Sequence, residues 1–351
     1  MNKKTVSALC AFLPLVACSS DQPEPRDRVL TWDEIEIEAE FGNDESGNPA
    51  GLLQQVRDAV FVEGGVAVLD AAPPFIRIYD RQGRFQQAFA RDGDGPGEVR
   101  NPIALERTRS AGFLITERAR AHEVDSTGRW IRTITPPDMA VRGAAPSCNG
   151  DVVLLARRST EWEGGGVLLR YDTRGTEPDT LAKLRGIRSN TRVSHPLFAR
   201  GGPDGIVLFS EEVDSQRVLQ ISCDGEITEL ARISAGPQEK WEMADNGLGA
   251  LHPAHPPLPA GIALVESRPL WALQRVDSTA QGIDSVTVFT LGDKGRSKSI
   301  SVRGWYTILD DEGESLLVGS HHPVAHVRVL SMATLRRLIE RRGVPADDRA
   351  S

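Results

Sequence analysis

Four histidines in two short pairs are the residues best suited to hold a metal: His252 and His255, and His321 and His322. Imidazole nitrogens bind zinc when three or four donors converge. The first pair lies in a Pro-rich stretch and the second follows an apolar run near the C-terminus. Spacing alone does not bring the pairs together, so solvated loop histidines are the plainer account.

A second group is built for contact rather than catalysis. Arg118 and Arg120, Arg157 and Arg158 with Trp162, Trp241, and Arg275 punctuate segments between apolar runs. Arg and Trp in loops suit recognition of a protein, peptide or carbohydrate ligand. Ordinary exposed loops would carry the same residues.

Nucleophilic chemistry has no signature. The chain contains no G-x-S-x-G elbow, no phosphate-cradling P-loop and no H-E-x-x-H. Asp92-Gly93-Asp94-Gly95 invites a calcium reading, but the twelfth position counted from Asp92 is Ile103, where an EF-hand loop needs Glu. An inter-element turn is the plainer account of that string.

The elements that must position these residues repeat. Residues 54–90 read as four short strands, each rich in β-branched or aromatic residues and closed by Gly or Pro. The third and fourth are joined by Tyr79-Asp80-Arg81-Gln82-Gly83. That joint recurs at Val124–Gly128, Tyr171–Gly175, Ser222–Gly225 and, more loosely, Gly292–Gly295, with Gly-to-Gly intervals of 45, 47, 50 and 70. In each, an acceptor side chain opens the turn and Gly supplies a positive φ. A unit of about 45 residues with four strands is the size of a propeller blade. Five full units fall at about 52–92, 101–136, 140–186, 196–235 and 259–303. The long interval absorbs a Pro/His/Gly-rich insertion at 236–258.

Three further strands, at 305–310, 315–320 and 325–331, lack a fourth. The alternating segment Val29–Ile37 is the one strand left to supply it, which leaves no open edge. The expected fold is all-β: a six-bladed β-propeller of four-stranded antiparallel blades, closed by an N-terminal strand. It spans residues 29–333. Leu335, Leu338 and Ile339 then lie at helical spacing before Gly343 and Pro345, predicting a short capping helix in the 334–351 tail.

The Y-D-x-x-G joints at 79–83 and 171–175, and the string Gly93-Asp94-Gly95-Pro96-Gly97-Glu98 leading to Pro102, resemble those of bacterial six-bladed propellers related to NHL-repeat proteins. In these an aromatic residue usually follows the Glu; here it is Val99. The resemblance implies the fold and leaves function open, since propellers host many activities. Peptide-amidating lyases of this type bind zinc through central histidines. By that analogy the alternative to a binding or scaffold module is a metal-dependent lyase or lactone hydrolase, using zinc or calcium.

The N-terminus speaks to location. Lys3 and Lys4 precede an apolar run broken by Pro14 and ending Leu15-Val16-Ala17-Cys18. The run is too short for a spanning helix, which needs about 20 residues, and matches a secretory signal. It resembles a bacterial lipoprotein precursor, in which residues 1–17 are removed and Cys18 is acylated. Ser19 and Ser20 after the Cys favour the outer membrane by the same resemblance. The polar, Pro-rich residues 18–28 would form an extended tether. The partner implied is the membrane, through lipid.

Without Lys3 and Lys4 the formal charge moves from −8 to −10. That balance disfavours nucleic acid as a partner, because such affinity rests on neutralising phosphates. Cys148 and Cys223 remain in an oxidising compartment, where they are candidates for a disulfide. They fall in hairpin turns of neighbouring blades on one face, or else stay separate thiols.

Overall fold

A computed structural model describes residues 29–42, 51–158, 166–174, 177–184, 197–199, 205–211, 215–234, 258–265, 268–279, 282–293, 296–304, 306–320 and 325–345. Six antiparallel sheets account for nearly all of them. Blade 1 comprises Val56–Val62, Gly65–Asp70, Ile76–Asp80 and Phe85–Phe89. Blade 2 comprises Ala104–Arg107, Phe113–Thr116, Ala121–Val124 and Trp130–Ile134. Blade 3 comprises Met139–Pro146, Val152–Arg158, Val167–Tyr171 and Pro178–Lys183. Blade 4 comprises Leu197–Ala199, Ile206–Glu211, Ser215–Ile221 and Ile227–Ser234. Blade 5 comprises Leu258–Val265, Arg268–Thr279, Gly282–Asp293 and Arg296–Arg303. Blade 6 takes Tyr306–Glu312, Ser315–Ser320 and His326–Ser331 from the C-terminal part and Ile37–Phe41 from the N-terminal part.

The ring is closed. Each blade's first strand touches the first strands of both neighbours, including blade 6 against blade 1. The first strands therefore surround the axis, and the fourth strands form the rim.

Two-residue periodicity makes this possible. In the second strand of blade 1, Val66 and Val68 pack towards blade 6 while Ala67 and Leu69 pack towards blade 2. Blade 3 repeats the division, with Val152 and Leu154 towards blade 2 and Val153 and Leu155 towards blade 4. A strand buried on both faces reads as a continuous apolar run, which is how VAVL and VVLLA appear in the sequence. The fourth strand of blade 1 has only partly buried and exposed positions. It therefore carries Gln and looks weaker.

The recurrent joint works as its residues require. Asp80 Oδ1 accepts the N–H groups of Gln82 and Arg84, each at 3.0 Å, and Gly83 sits at φ 78°. Asp125 accepts from Thr127 and Arg129 around Gly128 at φ 84°. A non-glycine residue at either glycine would meet the left-handed penalty.

The N-terminal segment differs from expectation in one respect. Instead of a single strand Val29–Ile37, there are two. Val29–Leu30 runs parallel to the outer strand of blade 5, with Leu30 opposite Val302. A 3₁₀ turn at Trp32–Glu34 follows, and Ile37–Phe41 then completes blade 6 against His326–Ser331. Trp32 fixes the crossing: its ring lies 4.2 Å from that of Tyr306, and the Arg328 guanidinium sits 5.5 Å from its centroid. The segment thus bridges two blades.

The C-terminal helix begins earlier than its spacing predicts, at Met332, and runs to Arg342. Ser331 caps it by accepting the Thr334 N–H. Met332, Leu335 and Ile339 bury against the apolar layer of blades 5 and 6. Val344–Pro345 then pairs with the rim strand of blade 5. Among the described residues no helix is long and apolar enough to cross a membrane.

Candidate functional site

Antiparallel strands send alternate connections to opposite faces. The turns between strands 1 and 2, and between strands 3 and 4, share one face. The loops between strands 2 and 3, and the links between blades, share the other. The second face gathers the candidate arginines.

Blade 3 supplies the centre of the site. Its first strand carries a bulge between Val141 and Gly143, so Arg142 is an extra residue opposite the second strand. Ala140, two positions earlier, pairs with Arg157. In blade 2 the loop at 117–120 reaches over, and the Val141 N–H donates to the Arg118 carbonyl at 2.7 Å. Arg118, Arg142 and Arg157 thereby come together from two blades. Arg157 is buried, Arg142 half-buried and Arg118 exposed. Burial, then the charges of Arg157 and Arg118, holds the Arg142 guanidinium below its ordinary pKa. Among the described residues neither Arg118 nor Arg142 has a carboxylate partner.

Arg57 shows what this position looks like when its needs are met. It is the bulge residue of blade 1's first strand, lying between Val56 and Asp58. Its Nη1 donates to the Pro102 carbonyl at 2.6 Å, tying blade 1 to the start of blade 2. Burial lowers its pKa too, but Asp70 acts in the opposite direction. Arg142 has like charges where Arg57 has an acid.

The other candidates divide. Arg120 is bound up in its own loop, pairing with Glu117 at 2.8 Å and Asp94 at 3.2 Å. Asp94 also pairs with Arg100 at 2.7 Å. Burial raises the Glu117 pKa, but hydrogen bonds from His122, Arg120 and the Arg100 N–H outweigh it and leave the carboxyl lowered. Arg158 ends the second strand of blade 3 opposite Met139, exposed. Arg275 is not in a loop: blade 5's middle strands run twelve residues each, and Arg275 pairs with Val286 well before the turn. Trp162, Trp241, His252, His255, His321, His322 and Cys18 lie outside the described residues. Among the described residues no three His, Cys, Asp or Glu side chains are grouped to hold a metal.

The Gly93–Glu98 string is a turn between blades 1 and 2. Arg91–Asp92 pairs with Glu98–Val99, and Glu98 accepts the Gly95 N–H at 2.9 Å. A Cβ at Gly93, where φ is 149°, would run into the Glu98 carboxylate. On the opposite face Cys148 and Cys223 form a disulfide with their Cα atoms 5.2 Å apart, linking blades 3 and 4.

Three residues of interest have only weak sequence signals. Arg142, Asp58 and Asp310 each sit at or just after a bulge that breaks alternation in a first strand. Arg142-Gly143 and Arg57-Asp58 are the visible traces, polar residues inside otherwise apolar inner strands.

No protein-family model matches the chain, and no curated protein matches it. Solved structures do. A Bacteroides fragilis protein assigned as exported superposes with a TM-score of 0.55 at 10% identity, covering 82% of this chain and 84% of its own. Regucalcin, a calcium-binding protein from Agrobacterium tumefaciens, gives 0.44 at 12% identity, covering 79% and 90%. A quinoprotein alcohol dehydrogenase-like protein of Bacteroides thetaiotaomicron gives 0.38 at 11% identity, covering 78% and 68%. At 10% identity the likeness to the Bacteroides fragilis protein extends to architecture alone; the closed ring of six four-stranded blades described above makes this chain a six-bladed β-propeller.

Proposed function

We propose that the chain is a lipid-anchored propeller of the bacterial cell envelope that works by binding rather than by turnover. Cys18 carries the lipid in the outer membrane, and residues 18–28 hold the ring away from the bilayer. The face formed by the 2–3 loops and the links between blades presents the ligand site. One observation carries this reading: Arg118 and Arg142 meet on that face from adjacent blades with no carboxylate partner among the described residues, whereas Arg120, Asp94, Glu117 and His122 are bonded to one another. The shared fold of an exported Bacteroides fragilis protein is in keeping with the location.

The test is a glycan and peptide array probed with the mature domain and with an Arg118→Gln/Arg157→Gln variant of matched melting temperature. A ligand bound by the first and lost by the second supports the module. Metal analysis of the same preparation addresses the metal-dependent lyase or lactone hydrolase. Stoichiometric zinc or calcium, lost on substituting His252 and His255, together with turnover of a lactone, would overturn the binding reading.

A further inference from the structure

We propose that Thr133 is a nucleophile that accepts the acyl group of an activated ester or thioester, with His122 as its base and Glu117 positioning that base. A single transfer to Thr133 needs no turnover and does not involve the arginine face.

The first reason is geometry. His122 in the third strand of blade 2 stands opposite Thr133 in the fourth. Its Nδ1 lies 2.9 Å from Thr133 Oγ1, and its Nε2 lies 3.2 Å from Glu117 Oε1. Glu117 is fixed in turn, because Oε1 accepts the Arg100 N–H and Oε2 accepts the Arg120 Nε–H, both at 2.8 Å. An ionised carboxylate can only accept, so neutral His122 carries its proton on Nε2. Nδ1 is then an acceptor, and the Thr133 hydroxyl donates to it. Nucleophile, base and orienting acid thus stand in the order that activates a hydroxyl. His122 and Glu117 are 3% and 4% exposed, whereas Thr133 is exposed. An acyl donor can reach the hydroxyl, while water is kept from the pair behind it.

The second reason is that the fold does not demand these residue types. In blade 1, Asp70 and Arg77 occupy the positions of Glu117 and His122. Asp70 accepts the Gln54 and Gln55 N–H groups just ahead of the first strand, as Glu117 accepts that of Arg100, and it pairs with Arg77 at 2.8 Å. Opposite Arg77 stands Ala88. The clamp therefore works with a guanidinium, which keeps its proton, beside a methyl group. Blade 2 has instead a side chain that exchanges its proton beside a hydroxyl.

In the reaction Thr133 Oγ1 attacks the carbonyl carbon while its proton passes to His122 Nδ1. The Oγ1–C bond forms and the bond from carbon to the leaving oxygen or sulfur breaks. The proton moves on from the imidazolium to that leaving group, which departs as an alcohol or thiol. The transient imidazolium faces the Glu117 carboxylate.

The experiment treats the mature domain with p-nitrophenyl acetate in mildly alkaline buffer and follows p-nitrophenol release, intact mass and the modified peptide. One acetyl group should appear, on Thr133. Thr133→Ser should keep the reaction and Thr133→Ala should lose it, both with the parental melting temperature because the side chain is exposed. His122→Asn should slow the transfer about 100-fold or more. Glu117→Gln should slow it as well. Nitrogen NMR of the His122 ring should place the proton on Nε2 in the parent and divide it between both nitrogens in Glu117→Gln, a change that a purely structural clamp would not couple to the transfer rate. Acetylation confined to lysines and the N-terminus, or transfer to Thr133 at the parental rate in His122→Asn, would overturn the proposal. The Glu117–His122 pair would then be a clamp of the same kind as Asp70–Arg77.

Discussion

Asp58 and Asp310 make the same bond in consecutive blades. Each follows a one-residue bulge in its first strand. Asp310 accepts the Phe61 N–H of blade 1, and Asp58 accepts the Leu105 N–H of blade 2, both at 2.8 Å. The bulge removes a residue from the ladder and turns the next side chain towards the neighbouring strand. The carboxylates are thus fasteners between inner strands, one of them at the joint where the ring closes.

That arrangement predicts an unusual pH dependence. Burial, opposed by the Leu105 and Ala59 N–H bonds and aided by the charge of Asp310, pushes the Asp58 pKa from 3.8 to about 8. A carboxyl with a raised pKa binds its proton more tightly in the folded chain than in the unfolded one. Its contribution is complete below about pH 4 and is lost as pH rises towards about 8. The full shift would be several kcal/mol at about 1.4 kcal/mol per pH unit; Asp58 is only half-buried, which reduces this to about 2–3 kcal/mol after screening. Asp58→Asn should flatten the slope of stability against pH across that window. An unaltered slope in urea unfolding at pH 5, 6.5 and 8 would refute the role.

The ring was legible in the sequence and its fasteners were not. Joints such as Tyr79–Gly83 announce themselves because the turn demands Asp and Gly at fixed offsets. The apolar runs of second strands announce burial on both faces. Bulges carry no such demand, since almost any residue can be the extra one, so Arg142, Asp58 and Asp310 look like lapses in alternation. Arg275 was misplaced for a related reason: a hairpin that extends past its blade keeps the strand pattern running through residues that read as a loop. Arg118 was visible as a loop arginine; Arg157, read as a loop residue, belongs to the second strand of blade 3, and their proximity depends on blades 2 and 3 being adjacent.

Ring closure depends unequally on the two N-terminal strands. Phe41 is 2% exposed and packs into the layer between blades 6 and 1 with Val56 and Val327. Phe41→Ala should cost about 3–5 kcal/mol by cavity formation. Removing residues 29–30 takes the buried Leu30 out of the layer shared by blades 5 and 6 but leaves all four strands of blade 6 paired, and should cost less, about 2–3 kcal/mol. Equilibrium denaturation of the two variants ranks them; equal midpoints would contradict the division of labour.

Anchoring is tested at Cys18. Cys18→Ser removes the sulfur on which the proposed lipid would be carried. The variant should leave the membrane fraction and appear in the soluble one, with the same unfolding midpoint. Retention in the membrane at parental levels would rule out the lipid anchor.

The disulfide between Cys148 and Cys223 should matter more than its place in two turns suggests. It joins the first hairpin turn of blade 3 to the last hairpin turn of blade 4 across 75 residues. Closing a loop of that length restricts the unfolded chain by about 4 kcal/mol in the chain-entropy account. Blade 4 gains most, because among the described residues its first strand, Leu197–Ala199, pairs with the second at three positions. Cys148→Ser, Cys223→Ser and the double variant should therefore lose similar stability, each about 2–4 kcal/mol. A Cys148→Ser/Cys223→Ser loss well above either single loss would show that the thiols stabilise by separate packing. Thiol titration of the unfolded, unreduced mature domain gives an independent reading, and two reactive thiols from these positions would exclude the bond. Under reducing conditions the parent and the double variant should converge, with the same unfolding midpoint.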